Sequence, residues 1–136
     1  MASKHQLSGM RGVFLVAAEL SERGFVVSPT SRSAKGVDLL ATNGDGTRTF
    51  AVEVKSTTRA TFWIVGMNAG KRPARNNIWV FVKFGKPRER SRFFVVPSNV
   101  LRKYFNKGKT VPFVKRKAIE KYEDKWTAFG PDEANR

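Results

Sequence analysis

The sequence predicts a mixed α/β fold in which one β-sheet of about five strands is flanked by helices. Three observations favour it. The chain of 136 residues is 40% hydrophobic, which is enough for one core without disulfides. One amphipathic helical segment opens the chain, and short apolar or alternating segments separated by turn residues follow it. We expect one domain over residues 1–136, ending in a basic, helical segment from about residue 115.

The first element is predicted to be a helix over residues 7–23, because its apolar side chains recur with the helical period. Gly24 can end this helix, since glycine adopts the left-handed conformation at low cost. The apolar face consists of Val13, Val16, Ala17 and Leu20, widened by Phe14 and Ala18. The other side of the helix carries Glu19, Glu22 and Arg23.

Short strands are predicted after the helix, at residues 25–27, 36–41, 49–55, 62–65, 78–84 and 93–96. The second and third form a hairpin around the turn sequence Asn43-Gly44-Asp45-Gly46. The segment 78–84 is nearly all apolar and is therefore expected to be buried on both faces. A short helix is expected over residues 97–105.

The composition excludes several classes of site. The chain has no cysteine and a single histidine, His5. A disulfide framework, an all-protein zinc site, a thiol nucleophile and an iron–sulfur cluster are therefore ruled out, and a Ser-His-Asp triad is disfavoured. A catalytic metal would need oxygen ligands, which indicates Mg²⁺ or Mn²⁺.

The charge indicates a polyanionic partner. Lys and Arg number 26 against 11 Asp and Glu, so the formal net charge is +15. Residues 60–136 hold 18 of the basic groups and 6 of the acidic ones, a net charge of +12. Such a field attracts nucleic acid, with a merely solvated basic surface as the alternative. The apolar run at 13–18 is too short to span a membrane, and we expect a cytoplasmic protein.

Glu53 and Lys55 form one half of the candidate site. Side chains alternate along a strand, so Glu53 and Lys55 point to one face of the strand at 49–55. Val52 and Val54 point to the other face. A charged pair on a strand that is otherwise apolar indicates either a solvated face or a functional site.

Asp38 is the other half, and the hairpin turn decides where it lies. A four-residue turn over 44–47 pairs Asp38 with Glu53, whereas a two-residue turn at Gly44-Asp45 pairs it with Ala51. Both registers place Asp38 on the face of Glu53 and Lys55. The turn sequence is compatible with either one.

These residue types suit metal-assisted chemistry on a phosphodiester. Two carboxylates about 5 Å apart repel each other unless a cation lies between them. Mg²⁺ is typically held by one or two carboxylates, and the carbonyl of Val54 could add a third oxygen. Lys55 could orient a water molecule or help to deprotonate it. The alternative is a surface salt bridge between Lys55 and the two acids.

The segments that carry these residues, Gly36-Val37-Asp38 and Ala51-Val52-Glu53-Val54-Lys55-Ser56-Thr57, resemble the motif of the PD-(D/E)XK, or restriction-endonuclease-like, nuclease superfamily. The stretch at 22–27 is similar to the helix-to-strand entry of Holliday-junction resolvases and related small nucleases. The resemblance implies that fold and a Mg²⁺- or Mn²⁺-dependent endonuclease acting on DNA. It also implies that Asp38 and Glu53 are metal ligands and that Lys55 is the catalytic lysine.

The first helix departs from the family pattern. Many relatives carry a metal-assisting glutamate about eleven residues before the glycine that ends this helix, and that position is Val13 here. Glu19 lies six residues further on, about 240° around the helix, and is kept as a possible auxiliary ligand. The alternative function is therefore a nucleic-acid-binding module on the same fold with weak or no catalysis. A basic assembly protein is a third, weaker alternative.

Basic loops are expected to contact nucleic-acid phosphates. The residues assigned to nucleic-acid binding are Lys35, Ser56, Thr57, Lys71, Arg72, Arg75, Arg88, Arg90 and Arg92. Trp63 and Trp126 could stack on bases, whereas Trp79 is expected in the core. The expected partner is DNA, with RNA not excluded and a homodimer possible.

Overall fold

The computed structural model describes residues 1–30, 37–59, 61–66, 76–107 and 109–131. Its α-helices are α1 (Lys4–Glu22) and α2 (Ser98–Leu101), and 3₁₀ helices cover Arg102–Tyr104, Arg116–Tyr122 and Trp126–Phe129. The strands are β1 (Val26–Pro29), β2 (Leu39–Thr42), β3 (Thr49–Thr57), β4 (Phe62–Ile64), β5 (Asn77–Lys83), β6 (Arg92–Pro97), β7 (Phe105–Lys107) and β8 (Pro112–Lys115). No helix in the described part of the chain combines the length and the apolarity needed to cross a bilayer.

The main sheet has five strands in the order β1-β2-β3-β5-β6. Strands β3 and β5 are parallel, and the other neighbours are antiparallel, so the sheet is mixed, and it has the predicted number of strands. Strand β5 lies inside this sheet, and Ile78 to Val82 are all buried on one face or the other. This burial explains why its sequence is apolar without alternation.

Helix α1 begins at a capping box between Ser3 and Gln6 and ends before Gly24, which has a φ of 89°. Its buried residues are Gly12, Val16, Glu19 and Leu20. The prediction that Phe14 and Ala18 widen the buried face is wrong, because both side chains are exposed. The buried stripe is rotated toward Gly12 and Glu19, where the helix packs closely on β3.

The main sheet carries a separate core on each face. Helix α1 covers one face, where Val16 and Leu20 pack with side chains such as Phe50 and Val52. A second core, which includes Trp63, Trp79 and Phe81, covers the other face. Trp126 belongs to the first core, and all three tryptophans are at most 6% exposed. The expectation that Trp63 and Trp126 stack on bases is therefore wrong, whereas the assignment of Trp79 to the core is right.

The second core is closed by a small antiparallel sheet in the order β4-β8-β7. The sequence predicted β4 but not this sheet, because β7 and β8 are three and four residues long and lie in a strongly basic segment. The short helix predicted over 97–105 ends earlier, since Phe105 begins β7. After Lys115 the chain is helical, as expected, but it forms 3₁₀ turns that bury Ile119 and Phe129.

Candidate active site

A β-bulge positions Asp38 beside strand β3. The pairing of Leu39 with Val52 and of Thr42 with Thr49 corresponds to the four-residue turn over 44–47. The backbone N–H of Asp38 also donates to the Val52 carbonyl, at 2.8 Å. Asp38 and Leu39 thus both lie opposite Val52, which is the two-against-one arrangement of a bulge. The register alone predicts that Asp38 pairs with Glu53, and the bulge prevents this pairing.

The bulge directs the Asp38 carboxylate to an edge of β3 that β2 leaves uncovered. Within β3, only Thr49–Val52 pair with β2, whereas β3 itself continues to Thr57. Oδ2 of Asp38 accepts a hydrogen bond from the Val54 N–H at 2.7 Å. Because the N–H and the C=O of one strand residue point to the same edge, the Val54 carbonyl is directed to this edge as well. The structure thus brings a carboxylate and the predicted third oxygen to one place.

Glu53 and Lys55 lie on the face of β3 opposite α1, next to the second core. Nζ of Lys55 is 3.9 Å from Oε1 of Glu53 and 5.9 Å from the centre of the Trp79 ring. The Glu53 side chain is 17% exposed and that of Lys55 is 31% exposed. The carboxylate is therefore largely withdrawn from water, while the ammonium group remains accessible to a ligand.

Burial raises the pKa of Glu53 to about 7. The positive charge of Lys55 opposes this rise, and the negative charge of Asp38 adds to it. The two acids therefore lie near enough to repel each other, although Asp38 approaches from the edge of β3 and Glu53 from its face. A cation placed between them would relieve both the burial cost and the repulsion.

The donor set fits a hard divalent cation. Among the described residues, no group of three or more acidic, histidine or cysteine side chains is placed to hold a metal ion. Two carboxylates, Asp38 and Glu53, and the Val54 carbonyl are nevertheless enough for Mg²⁺, which usually keeps several water ligands. All three donors are oxygen atoms, the ligand type that Mg²⁺ and Mn²⁺ prefer.

A cleft of about 560 Å³ opens between α1 and the bulge, and Asp38 and Val54 form part of its wall. Val13 also lines this cleft, with an apolar side chain at the position where many of the nucleases that the motif resembles carry a glutamate. His5, the single histidine, lies in the first turn of α1 and lines the same cleft. No motif in the sequence indicates the cleft, because its walls come from separate segments.

Glu19 is not near these residues. Its carboxylate accepts hydrogen bonds from Arg23 at 3.0 Å and from Arg90 at 2.5 Å, and the residue is 8% exposed. The expectation that it faces away from the apolar side is wrong, because it is part of the buried stripe of α1. Its two oxygens are held by arginines, and it is not among the residues that line the cleft.

The residues assigned to nucleic-acid binding differ in where they lie and in what they contact. Lys35, Lys71, Arg72 and Arg75 lie outside the described residues. The Ser56 hydroxyl donates to the Ser8 carbonyl of α1, and the Thr57 hydroxyl accepts from the Arg59 N–H. Both side chains therefore hold local structure rather than point freely outward.

The three arginines after β5 also differ from one another. Arg90 pairs with Glu19, and Arg92 makes a bidentate pair with Glu123 at 2.7 and 2.8 Å. Arg88 is exposed in the turn, with a φ of 70°. Among these three arginines, Arg88 is the one that makes no ion pair with another described residue.

Comparison with known proteins identifies the fold. No protein-family model matches the sequence, and no curated protein matches it. The Holliday junction resolvase Hjc from the archaeal hyperthermophile Archaeoglobus fulgidus is similar in structure, with a TM-score of 0.54 and 18% identity, covering 82% of this chain and 87% of that one.

A bacterial homing endonuclease, I-Ssp6803I, is similar with a TM-score of 0.60 and 19% identity, covering 99% of this chain and 96% of the other. At these identities the likeness establishes the fold. The restriction-endonuclease-like sheet flanked by helices, expected from the motif, is thereby confirmed.

Proposed function

We propose that this protein is a metal-dependent nuclease that hydrolyses phosphodiester bonds in DNA, with Mg²⁺ or Mn²⁺ as its cofactor. The observation that carries the proposal is a pair of acids beside β3: the Asp38 carboxylate is bonded to the Val54 N–H at the strand edge, and the largely buried Glu53 lies next to Lys55 on the strand face, near enough to Asp38 to feel its charge. The shared fold with a resolvase and a homing endonuclease supports it.

Asp38, Glu53 and the Val54 carbonyl would hold the ion. When bound, the metal supplies Lewis-acid polarisation of a phosphate oxygen and a lowered pKa for a bound water molecule. The hydrogen bond from the Val54 N–H fixes the orientation of Asp38, so that its second oxygen, Oδ1, is available to a ligand. Glu53 is largely buried and lies near enough to Asp38 for that residue's negative charge to raise its pKa.

Lys55 is suited to contact the phosphate that is cleaved. Its side chain is 31% exposed and carries a positive charge beside Glu53. A phosphodiester brought to this edge therefore meets a cationic donor, which would stabilise the negative charge that develops on the phosphate during hydrolysis. The same charge lowers the pKa of Glu53 and favours its ligand form.

The proposal is tested by nicking of supercoiled plasmid in Mg²⁺, in Mn²⁺ and in chelator. We expect cleavage in either metal and none in chelator. Glu53→Gln removes a ligand charge at nearly constant volume, and Lys55→Ala removes the cation. Each should lower the rate at least about a hundredfold, which is the usual range for such groups.

Glu22→Gln is the matched control, because Glu22 is an exposed acid at the end of α1. It should cleave like the wild type. If the wild type and the Glu53 and Lys55 variants degrade DNA at one rate, the activity belongs to a contaminant and the assignment is wrong.

A second candidate function is DNA binding on this fold without efficient cleavage. The observation that favours it is Val13, which places an apolar side chain where many relatives carry an acid, in the cleft that Asp38 lines. This candidate predicts salt-sensitive DNA binding together with nicking no faster than that of Glu53→Gln. Binding and nicking measured on one preparation distinguish the two functions.

A further inference from the structure

The outer face of the small sheet β4-β8-β7 does not contribute to either core. The row formed by Trp63, Val114 and Phe105 points inward to the second core. Because side chains alternate along each strand, the neighbouring residues point outward. This outward set, called the outer platform below, consists of Phe62, Ile64, Asn106, Phe113 and Lys115.

Two aromatic rings form the centre of the outer platform. Phe62 and Phe113 lie edge to face, with ring centres 5.8 Å apart, and both are half-buried. The Arg59 guanidinium lies 5.2 Å from the centre of the Phe62 ring, and Lys115 pairs with Phe62 across the strands. Ile64, next to them, is 46% exposed. Apolar rings with cationic neighbours are therefore presented to solvent.

The chain around the platform carries only one sign of charge. Strands β4, β7 and β8 contain no Asp or Glu. Residues 54–88 and 90–119, which include all three strands, contain no acidic residue at all. The three strands therefore present no like charge to a polyanion, and Glu120, the first acid after β8, is paired with Arg116.

We propose that the outer platform binds single-stranded DNA, by stacking bases on Phe62 and Phe113 while Arg59 and Lys115 contact phosphates. Aromatic side chains on an open sheet face, flanked by cations, suit unpaired bases because every base has a π-face to stack. A duplex keeps its bases stacked inside and offers only phosphates to such a surface. Charge and exposed rings together thus favour a single strand over a duplex.

The platform lies close to the candidate active site along the chain. Arg59 follows Lys55 by four residues, so their Cα atoms are at most about 14 Å apart. A strand bound there can extend toward Lys55, which favours substrates that join single-stranded to duplex DNA. The binding itself does not depend on cleavage and holds if the nuclease assignment fails.

The test measures affinity for a labelled 15-nucleotide oligothymidine and for a blunt 15-base-pair duplex, in chelator. The double variant Phe62→Leu with Phe113→Leu keeps apolar side chains but removes both rings. We expect it to bind the single strand about tenfold more weakly and the duplex as before, since stacking contributes on the order of 1–3 kcal/mol per base. Unchanged single-strand affinity, or an equal loss for both DNAs, would overturn the proposal.

The matched control is Tyr104→Leu with Tyr122→Leu. This pair has similar geometry, with ring centres 5.7 Å apart at 74°, but packs against the second core. It should leave single-strand affinity unchanged, and a larger loss here than in the phenylalanine variant would overturn the assignment.

The double variant Arg59→Gln with Lys115→Gln keeps both rings and changes only charged side chains, so it tests the proposal even if the phenylalanine variant misfolds. The slope of log affinity against log salt for the single strand should become shallower by about 1.4, because each of the two lost phosphate contacts contributes about 0.7. An unchanged slope would contradict the phosphate contacts. A wild-type dimer that the phenylalanine variant converts to monomer would show that the face binds a second copy instead.

Discussion

Glu53 is the residue whose ionisation is most altered by the fold, since burial raises its pKa to about 7 from an ordinary value of 4.5. Below pH 4.5 the carboxyl group is protonated in both the folded and the unfolded chain. Between pH 4.5 and about 7 the unfolded chain releases the proton while the folded chain retains it, and above that range the folded protein carries a buried charge. Its stability without metal therefore falls as the pH rises through this window.

We expect Glu53→Gln to remove this fall. Measured by urea unfolding in chelator from pH 4.5 to 8, the stability of the wild type should decrease by about 3 kcal/mol relative to the variant. Glu22→Gln, at an exposed position, should follow the wild type. Parallel curves for the wild type and Glu53→Gln would show that Glu53 ionises as it does in the unfolded chain.

The candidate site residues can be chosen from the sequence, but their arrangement in space cannot. Strand alternation placed Glu53 and Lys55 on one face, and they lie there in the structure. Asp38 was expected on the same face, but the bulge at Leu39 turns its carboxylate to the edge of β3. A bulge depends on one backbone hydrogen bond between distant residues, and neither residue type nor spacing specifies it.

At the scale of elements, the contact between α1 and β3 depends on Gly12. A Cβ added there would lie 2.8 Å from both Cβ and Oγ of Ser56, which itself bonds to the Ser8 carbonyl. Gly12→Ala should therefore force the helix away from the strand and destabilise the protein by about 1–3 kcal/mol, despite the better helix propensity of alanine.

Gly9→Ala is the matched control in the same helix, since nothing lies within 4 Å of its added Cβ. It should stabilise the protein by up to about 1 kcal/mol, which is the propensity difference alone. Urea unfolding measures both variants. A Gly12→Ala protein as stable as Gly9→Ala would mean that α1 and β3 separate without cost.

Elements with local signals were predictable, and those that depend on distant pairing were not. The hairpin β2–β3 has its turn sequence and helix α1 has its apolar period and terminal glycine, so both were predicted. Helix α1 nevertheless begins at Lys4 instead of residue 7, because a capping box between Ser3 and Gln6 starts it earlier. The sheet β4-β8-β7 joins strands about fifty residues apart, and two of them are too short and too basic to show alternation. Its stability comes from Trp63 and Val114, which it buries against β5 and β6.

At the scale of the whole molecule, the charge of +15 is not all available to a ligand. Arg23 and Arg90 hold Glu19, Arg92 holds Glu123, and Arg116 holds Glu120. Two of these pairs, Arg90–Glu19 and Arg92–Glu123, connect elements that are distant in sequence. Hydrogen bonding to Arg92 lowers the pKa of Glu123. Counting basic residues in the sequence therefore overestimates the groups that can neutralise phosphates.

The salt dependence of duplex binding can separate free arginines from paired ones. If four to eight basic groups contact phosphates, log affinity should fall with log salt at a slope of roughly −4 to −7, because each contact on duplex DNA contributes about −0.9. Arg88→Gln removes an exposed charge and should make the slope shallower by about 0.9, with stability unchanged. Anisotropy titrations between low and moderate salt, in chelator, give the slopes.

Arg92→Gln is the matched substitution, four residues further on. It leaves Glu123 without its bidentate partner, and because the two side chains are 39% and 32% exposed, the cost should be about 1 kcal/mol in urea unfolding. The slope should not change, since Arg92 is already neutralised within the fold. Should Arg92→Gln flatten the slope as much as Arg88→Gln does, the ion pair must open on DNA, and Arg92 then belongs to the binding surface.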